Sequence, residues 1–342
     1  MAGWLAWVAY ADVRLPTTPY EFTVHPGQGL KAVGRQLSAD GVLWEGESIW
    51  ILGRLTGKAQ RIQAGTYRLD KPMSALEIID KLARGDVYVV NVTFPEGQTI
   101  AEMARIFESH GLGTAAAFVQ AAKDVTPIRQ LDPAAKDLEG YLFPETYALP
   151  RRADAAKLVQ MMAARFDKVF TSELRQAAAS RGLTVRQAVT LASIVEKETA
   201  KADERPLVAA VYTTRLRIGM PLQCDPTVIY GLVKVGRYDG NIHKDDLSFD
   251  SPYNTYRHAG LPPGPIASPG RASLEAALHP ADADYLYFVS RNDGSHEFAR
   301  TLEEHNRNVQ KYQIQYFRDQ KAGGAGGVGR AGATGGARGS RR

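Results

Sequence analysis

Leu191-Ala-Ser-Ile-Val-Glu-Lys-Glu-Thr199 sets two carboxylates at the end of an otherwise apolar run. The spacing predicts a helix that opens at Thr184, where Gln187 three residues on completes a capping-box pattern. Ala188, Leu191, Ala192 and Val195 recur at helical spacing and are expected to face a core. At about 100° per residue, Glu196 and Glu198 fall on opposite flanks of that stripe and Lys197 points away from it. A carboxylate at the border of a buried face is partly desolvated, which raises its pKa toward the range a general acid needs. The same residues also fit a plain amphipathic helix with a solvated Glu-Lys-Glu edge, so the rest of the chain has to decide.

Composition narrows the classes. The 342 residues give room for two or three domains, and 44% apolar with 23% charged residues is ordinary for globular protein. The net charge is +5, but four arginines and no acid sit in the tail after Lys321; without them the folded part carries about +1. The basic balance therefore does not point to a nucleic-acid partner. That Gly/Ala/Arg tail, residues 321–342, is too poor in apolar surface to offset its ordering entropy and is expected to be disordered. Cys224 is the only cysteine, which excludes an internal disulfide and a cysteine-rich metal site; Gln223 and Asp225 beside it offer no base for a thiol nucleophile. The seven histidines show no metal spacing, and no metal or other cofactor is expected.

Met1 to Ala11 is apolar and aromatic, ending at Asp12 and Arg14. Eleven residues fall short of the roughly 20 that cross a bilayer, and no basic residue precedes them as a signal peptide requires. Residues 1–15 read as the outer end of a membrane anchor, with Trp4, Trp7 and Tyr10 at interfacial level. The other reading is an apolar strand or helix docked on the folded body.

An internal repeat occupies residues 20–113. His25-Pro-Gly-Gln-Gly-Leu-Lys-Ala-Val-Gly-Arg-Gln-Leu37 parallels Glu96-Gly-Gln-Thr-Ile-Ala-Glu-Met-Ala-Arg-Ile-Phe107, pairing Gly27 with Gly97, Leu30 with Ile100, Val33 with Met103 and Leu37 with Phe107. Each copy reads strand, Gly turn, amphipathic helix, Gly stop. Between them, Gly65 to Leu69 reads as a strand, Ser74 caps a helix through Ala83, and Val87 to Phe94 alternates as a further strand. Residues 114–320 read as mostly helical, broken by an aromatic loop from Tyr141 to Tyr147 and by Pro/Gly-rich loops after Pro221. A short hairpin is expected around Asn292-Asp-Gly294, and a closing helix from His305 to Tyr316.

Several further segments stand in order along the chain. They are Leu138-Glu-Gly-Tyr-Leu-Phe-Pro-Glu-Thr-Tyr147, Val211-Tyr-Thr-Thr-Arg-Leu-Arg-Ile-Gly-Met-Pro-Leu-Gln-Cys-Asp-Pro-Thr-Val-Ile-Tyr230, Tyr253-Asn-Thr-Tyr256, Gly260 to Gly270, Ala277-Leu-His-Pro280 and Tyr285-Leu-Tyr-Phe-Val289. With Glu196-Lys-Glu-Thr199 they resemble the endolytic murein transglycosylases of bacterial cell walls, over roughly residues 20 to 318. The resemblance implies an α+β fold: LysM-like strand/helix modules, which bind N-acetylglucosamine-containing glycans, then a mostly α, lysozyme-like catalytic domain with a small sheet. It also implies peptidoglycan as substrate, a single membrane-spanning helix at the start of the chain, an inner-membrane location with the catalytic part outside, and peptidoglycan synthases as partners.

Glycoside hydrolysis ordinarily uses two carboxylates. A lytic transglycosylase uses one: it protonates the glycosidic oxygen, then takes the proton of the C6 hydroxyl of N-acetylmuramic acid as that hydroxyl attacks C1. By resemblance to the wider superfamily, where a small hydroxyl residue follows the glutamate, Glu198-Thr199 carries this role, with Glu196 the alternative. If Glu198 is the acid, Glu196 is expected to hold Arg205 or a backbone group. Gln223, Asn254, Tyr256 and Tyr230 are the expected substrate contacts, since amides and aromatic faces suit acetamido sugars. Asp225 reads first as a helix cap. Glu139 and Glu145 line the cleft or anchor the aromatic loop, and His279 reads as a buried, hydrogen-bonded histidine. A water-using muramidase, with Asp225 or Glu139 as second carboxylate, and a non-catalytic wall-binding scaffold are the competing functions.

Overall fold

The computed structural model describes residues 7, 9–151 and 153–318, a mixed α+β structure whose strands form three two-stranded antiparallel sheets. Most of the apolar start and the whole Gly/Ala/Arg tail lie outside the described residues. Among the described residues no helix is long and apolar enough to cross a membrane. The chain forms two compact units: one comprises Met1–Phe94, Ala101–Ala121 and Glu145–Val159, the other Pro95–Ile100, Ala122–Pro144 and Gln160–Arg342.

In the first unit, β1 (Tyr20–Val24) is followed by α1 (Leu30–Ala39), α2 (Gly46–Leu55), β2 (Gly65–Leu69) and α3 (Ala75–Arg84). β1 and β2 pair so that Phe22 stands opposite Tyr67 and Tyr20 opposite Leu69. Period-two alternation puts Tyr20, Phe22 and Val24 on the buried face, where they meet Leu30, Val33 and Leu37 of α1, Ile49 of α2 and Ile78, Ile79 and Leu82 of α3. The Phe22 ring stacks on Tyr67, and the Tyr67 hydroxyl donates to the Gln63 carbonyl at 2.7 Å. Ser74 and Glu77 close a full capping box at the start of α3, and Gly85 ends it in the left-handed region at φ +69°. Of the start of the chain, Ala9 joins this core, Val13 and Leu15 pack on it, and the Val13 amide donates to Met73. That part docks on the folded body.

The second copy of the repeat gives β3 (Val89–Thr93) and α4 (Ile100–Ser109), followed by α5 (Ala115–Ala121). Each copy is a strand and a helix, as the sequence reads, but the two strands do not pair with each other. β3 pairs with β4 (Thr146–Pro150), Val92 opposite Tyr147. The aromatic loop therefore ends in a strand, because Tyr147 and Leu149 alternate inward, Tyr147 against Phe94, a feature masked in the sequence by the prolines at both ends.

The second unit is built on a helix that is buried all round. α6 (Ala155–Val169) and α7 (Ser172–Ser180) lead to α8 (Val185–Glu198), then α9 (Arg205–Arg217), α10 (Asp225–Lys234) and α11 (Arg271–Leu278). α8 packs on α7, α9, α10 and α11. Thr184 and Gln187 make the expected capping box. Every residue from Ala188 to Val195 is buried, where the sequence suggested a single apolar stripe. The small residues make this possible. Thr190 turns its hydroxyl back to the Arg186 carbonyl at 2.7 Å, and Ser193 bonds Thr190 and receives the Ile266 amide, so neither polar group is left unpaired. The hairpin follows as β5 (Tyr287–Ser290) and β6 (His296–Ala299), its turn using Asn292 at φ +66° and Gly294 at φ +82°. α12 (Leu302–Val309) runs into a π-helical segment, Gln310–Gln315, in place of one continuous helix.

Gly34 of α1 and Gly46 of α2 touch backbone to backbone, and a methyl group on Gly34 would overlap the Gly46 carbonyl. Gly34→Ala is expected to destabilise the first unit by about 3 kcal/mol. Gly29→Ala, in open space at φ −82°, should be near neutral. Urea unfolding of the two variants checks this; equal midpoints would refute the close crossing.

Candidate active site

Glu198 is the last residue of α8, and Thr199 beyond it is extended at φ −142°, which stops the helix. The residue as a whole keeps some exposure, but its carboxyl is enclosed. Burial pushes its pKa up, and the negative charge of Asp225 adds to this. Hydrogen bonds from Tyr212 and Cys224 and the positive field of His296 oppose it. The negative end of the helix dipole also disfavours the charged form there. The Tyr212 hydroxyl donates to Glu198 Oε1 at 2.5 Å. Burial raises the pKa values of both Tyr212 and Cys224 well above their ordinary ranges, so both stay protonated as donors. For Cys224 this argues against thiol nucleophile chemistry.

Glu196, on the opposite flank, is spoken for. It accepts from Arg205 Nη2 at 3.4 Å and from the Gly270 amide at 2.9 Å. Its place is a buried brace between α8, α9 and the start of α11, alongside Glu96, which approaches Arg205 at 3.8 Å. Lys197 is exposed and reaches the Gly97 carbonyl.

Of the four expected substrate contacts, two stand around Glu198. Gln223 is exposed and directly precedes Cys224; its backbone lies in the left-handed region at φ +51°, held there by its amide bonding to the Thr255 carbonyl at 3.2 Å. A non-glycine residue in that region is a local strain that surrounding structure must sustain. Tyr256 is half-buried and its hydroxyl donates to Asp225 Oδ1 at 2.6 Å. Asp225 is the first residue of α10 behind the cap position Cys224; its carboxylate serves Tyr256 where a capping bond was expected.

The other two are inside. Asn254 is fully buried: its side-chain amide donates to the Leu247 and Phe249 carbonyls and its Oδ1 accepts from the Tyr256 amide. It shapes the loop and presents no group outward. Tyr230 is 7% exposed and donates to Glu139 Oε2 at 3.1 Å, with its ring against Tyr253. Glu139 also accepts the Ile100 amide at 3.0 Å, so it anchors structure. Glu145 is half-buried, and its carbonyl takes the Phe94 amide. His279 is exposed at the end of α11, contrary to the buried role expected from the proline that follows it.

Sequence reading missed Tyr212, whose only signal was a phenol directly after the Ala/Val run Val208 to Val211 of α9. It also missed Glu204, which takes the Thr199 hydroxyl, and His296, which meets Glu204 only through the fold. Among the described residues no cluster of His, Cys, Asp and Glu is arranged to hold a metal.

Comparison with known proteins agrees with this assembly of motifs. The model of the YceG-like family matches residues 22–311. An endolytic murein transglycosylase of Bacillus subtilis is 33% identical over 86% of this chain and 85% of its own length. An endolytic murein transglycosylase of Streptococcus pneumoniae is 32% identical over 84% of this chain, which spans 57% of that longer protein. The crystal structure of a yceG-like protein from Listeria monocytogenes superposes with a TM-score of 0.57 at 30% identity, covering 84% of this chain and 98% of the other.

Burial raises the Glu139 pKa from 4.5 to about 7, helped by Asp137 and opposed by the Ile100 amide, Tyr230 and Lys234. A folded-state pKa above the unfolded one means stability that is fully present below the ordinary carboxylate value and lost as pH rises through about 7. Glu139→Gln cannot ionise and should escape that loss. Relative to the wild type it should gain about 3 kcal/mol at most between pH 4.5 and pH 8. Chemical unfolding at those two pH values reads the gain directly, and a difference independent of pH would refute it.

Proposed function

Because the chain belongs to the YceG-like family, we propose that it is a lytic transglycosylase of peptidoglycan with Glu198 as its single acid and base. The enclosed, proton-retaining carboxyl of Glu198, fixed through one oxygen by Tyr212, carries this reading. Tyr212 occupies Oε1, which leaves the proton of the neutral acid on Oε2. That proton passes to the glycosidic oxygen between N-acetylmuramic acid and N-acetylglucosamine as the C1–O bond breaks. The resulting carboxylate takes the C6 hydroxyl proton while the C6 oxygen closes on C1, giving a 1,6-anhydro end with no water consumed. Enclosure favours the protonated form of the acid and keeps water from competing. Gln223 and Tyr256, the exposed or half-exposed groups beside it, are the sugar contacts.

The activity is endolytic, on nascent strands, limiting their length and working beside peptidoglycan synthases at the outer face of the plasma membrane. The substrate class supports that location. The order β1, α1, α2, β2 with β1 antiparallel to β2 supports a LysM-like, glycan-holding role for the first unit. One observation favours a hydrolytic muramidase as second reading: Asp225 lies near enough for its charge to raise the Glu198 pKa, and it is exposed. A hydrolase would leave reducing ends.

Glu198→Gln keeps the shape and removes the proton, so cleavage of purified glycan strands should fall by about 10²- to 10⁴-fold with the fold intact. Mass spectrometry of the wild-type products should find 1,6-anhydro-muramyl ends. Near-normal turnover of Glu198→Gln, with loss in Glu196→Gln, would overturn the assignment; reducing ends throughout would favour the muramidase.

A further inference from the structure

One buried cation next to this site has no part in the chemistry above. Arg215 lies one turn after Tyr212 on α9 and is 7% exposed. Its partners among the described residues are neutral. Nε donates to the Leu286 carbonyl at 2.8 Å, Nη1 donates to the Leu222 carbonyl at 2.5 Å, and the guanidinium lies over the Tyr287 ring at 5.4 Å. A buried charge is costly unless strong bonds offset it, and charge-assisted bonds from one planar fork are of that kind. The Leu222 carbonyl and the Gln223 amide belong to a single peptide plane. Arg215 holds one edge of that plane, and on the other edge the Gln223 amide donates to the Thr255 carbonyl at 3.2 Å. The next plane is held as well, since the Cys224 amide donates to Thr255 Oγ1 at 3.0 Å. Beyond it the Cys224 carbonyl accepts the Thr227 hydroxyl at 2.6 Å.

Glutamine has no preference of its own for φ +51°. Such a conformation persists only where the surroundings over-determine it, and here the planes on both sides of the Gln223 Cα are clamped. The same clamp sets the direction of the Cα–Cβ bond, and with it the direction in which this exposed side chain leaves the backbone. We propose that Arg215 is a positioning residue for the sugar-binding turn: by fixing the Leu222–Gln223 peptide plane it holds Gln223 left-handed and aims its amide side chain at substrate. The proposal rests on the reading of Gln223 as a sugar contact. It ties that contact to α9, the helix that also supplies Tyr212 to Glu198. The second branch of the fork fastens the same helix to the carbonyl just before β5. A lysine ammonium is a point donor and does not reproduce the fork.

Arg215→Met keeps most of the apolar stem and removes both bonds. With glycan strands as substrate it should raise KM about 5- to 20-fold and leave kcat within about threefold. Gln223→Ala should raise KM by a similar factor. Because both act through one contact, the double variant should exceed the larger single effect by no more than about twofold. KM effects that multiply, or a wild-type KM in a folded Arg215→Met protein, would overturn the proposal. Cys224 is the only cysteine and is buried, so its alkylation reports on the clamp without any cleavage. Iodoacetamide should modify Cys224 at least about tenfold faster in Arg215→Met than in the wild type, at a near-wild-type Tm; an unchanged rate would overturn the clamp. If Arg215→Met does not fold, NMR of the wild-type protein decides. The two Arg215 Nη1 hydrogens should give separate signals because their bond stops rotation about Cζ–Nη1, and one averaged signal would overturn the proposal. A thiol released in Arg215→Met, with a KM indifferent to Gln223→Ala, would refute the sugar contact while upholding the clamp.

Discussion

The enclosure of one carboxyl at the end of α8 is the constraint on which the second unit depends. A helix whose residues from Ala188 to Val195 are all buried has no solvent side on which to discharge a terminal charge. The donors to the Glu198 carboxyl come from other elements: Tyr212 from α9 and Cys224 from the turn before α10. Ala, Ser and Thr along α8 are small enough for four helices to close on it, and that close approach is what encloses the carboxyl at its end. Replacing such residues with larger ones would open the packing and the site together.

The two carboxylates of Glu-Lys-Glu illustrate how environment divides chemically identical groups. Glu196 is neutralised by Arg205 and a backbone amide, so it behaves as a structural tie. Glu198, two residues on, is enclosed beside the acidic Asp225, and burial above all favours its proton against the opposing Tyr212 and Cys224 donors and the field of His296. The strained backbone of Gln223 belongs to the same economy of space. Its amide must reach Thr255, whose hydroxyl in turn takes the Cys224 amide, and this pins the segment that carries the thiol to the carboxyl.

Much of the fold was legible because it is local. The capping boxes at Thr184 and Ser74, the strand Gly65–Leu69 and the hairpin turn at Asn292-Asp-Gly294 are fixed by residues within a few positions of one another. β4 was hidden because its pairing with β3 joins residues more than fifty positions apart, and nothing in Thr146 to Pro150 alone announces a partner. The site divided in the same way. The turn-rich composition around Asn254 and Tyr230 looked like a cleft lining, yet their polar atoms are consumed by the loop carbonyls and by Glu139. Tyr212, Glu204 and His296 escaped notice because each acquires its meaning only from a neighbour brought in by tertiary packing.

The hairpin β5–β6 also acts as a ruler. Along β6 the side chains alternate: His296 and Phe298 face Phe288, while Glu297 turns to Arg291 and Tyr312. A single residue gained or lost in the turn between Ser290 and His296 would slide this strand by one place and exchange its two faces. Glu297 would then arrive where the imidazole now meets Glu204, setting carboxylate against carboxylate at the foot of α9. The length of an exposed surface turn is thereby tied to the sign of a buried charge, so this loop, unlike most at a protein's edge, has no freedom to drift in length.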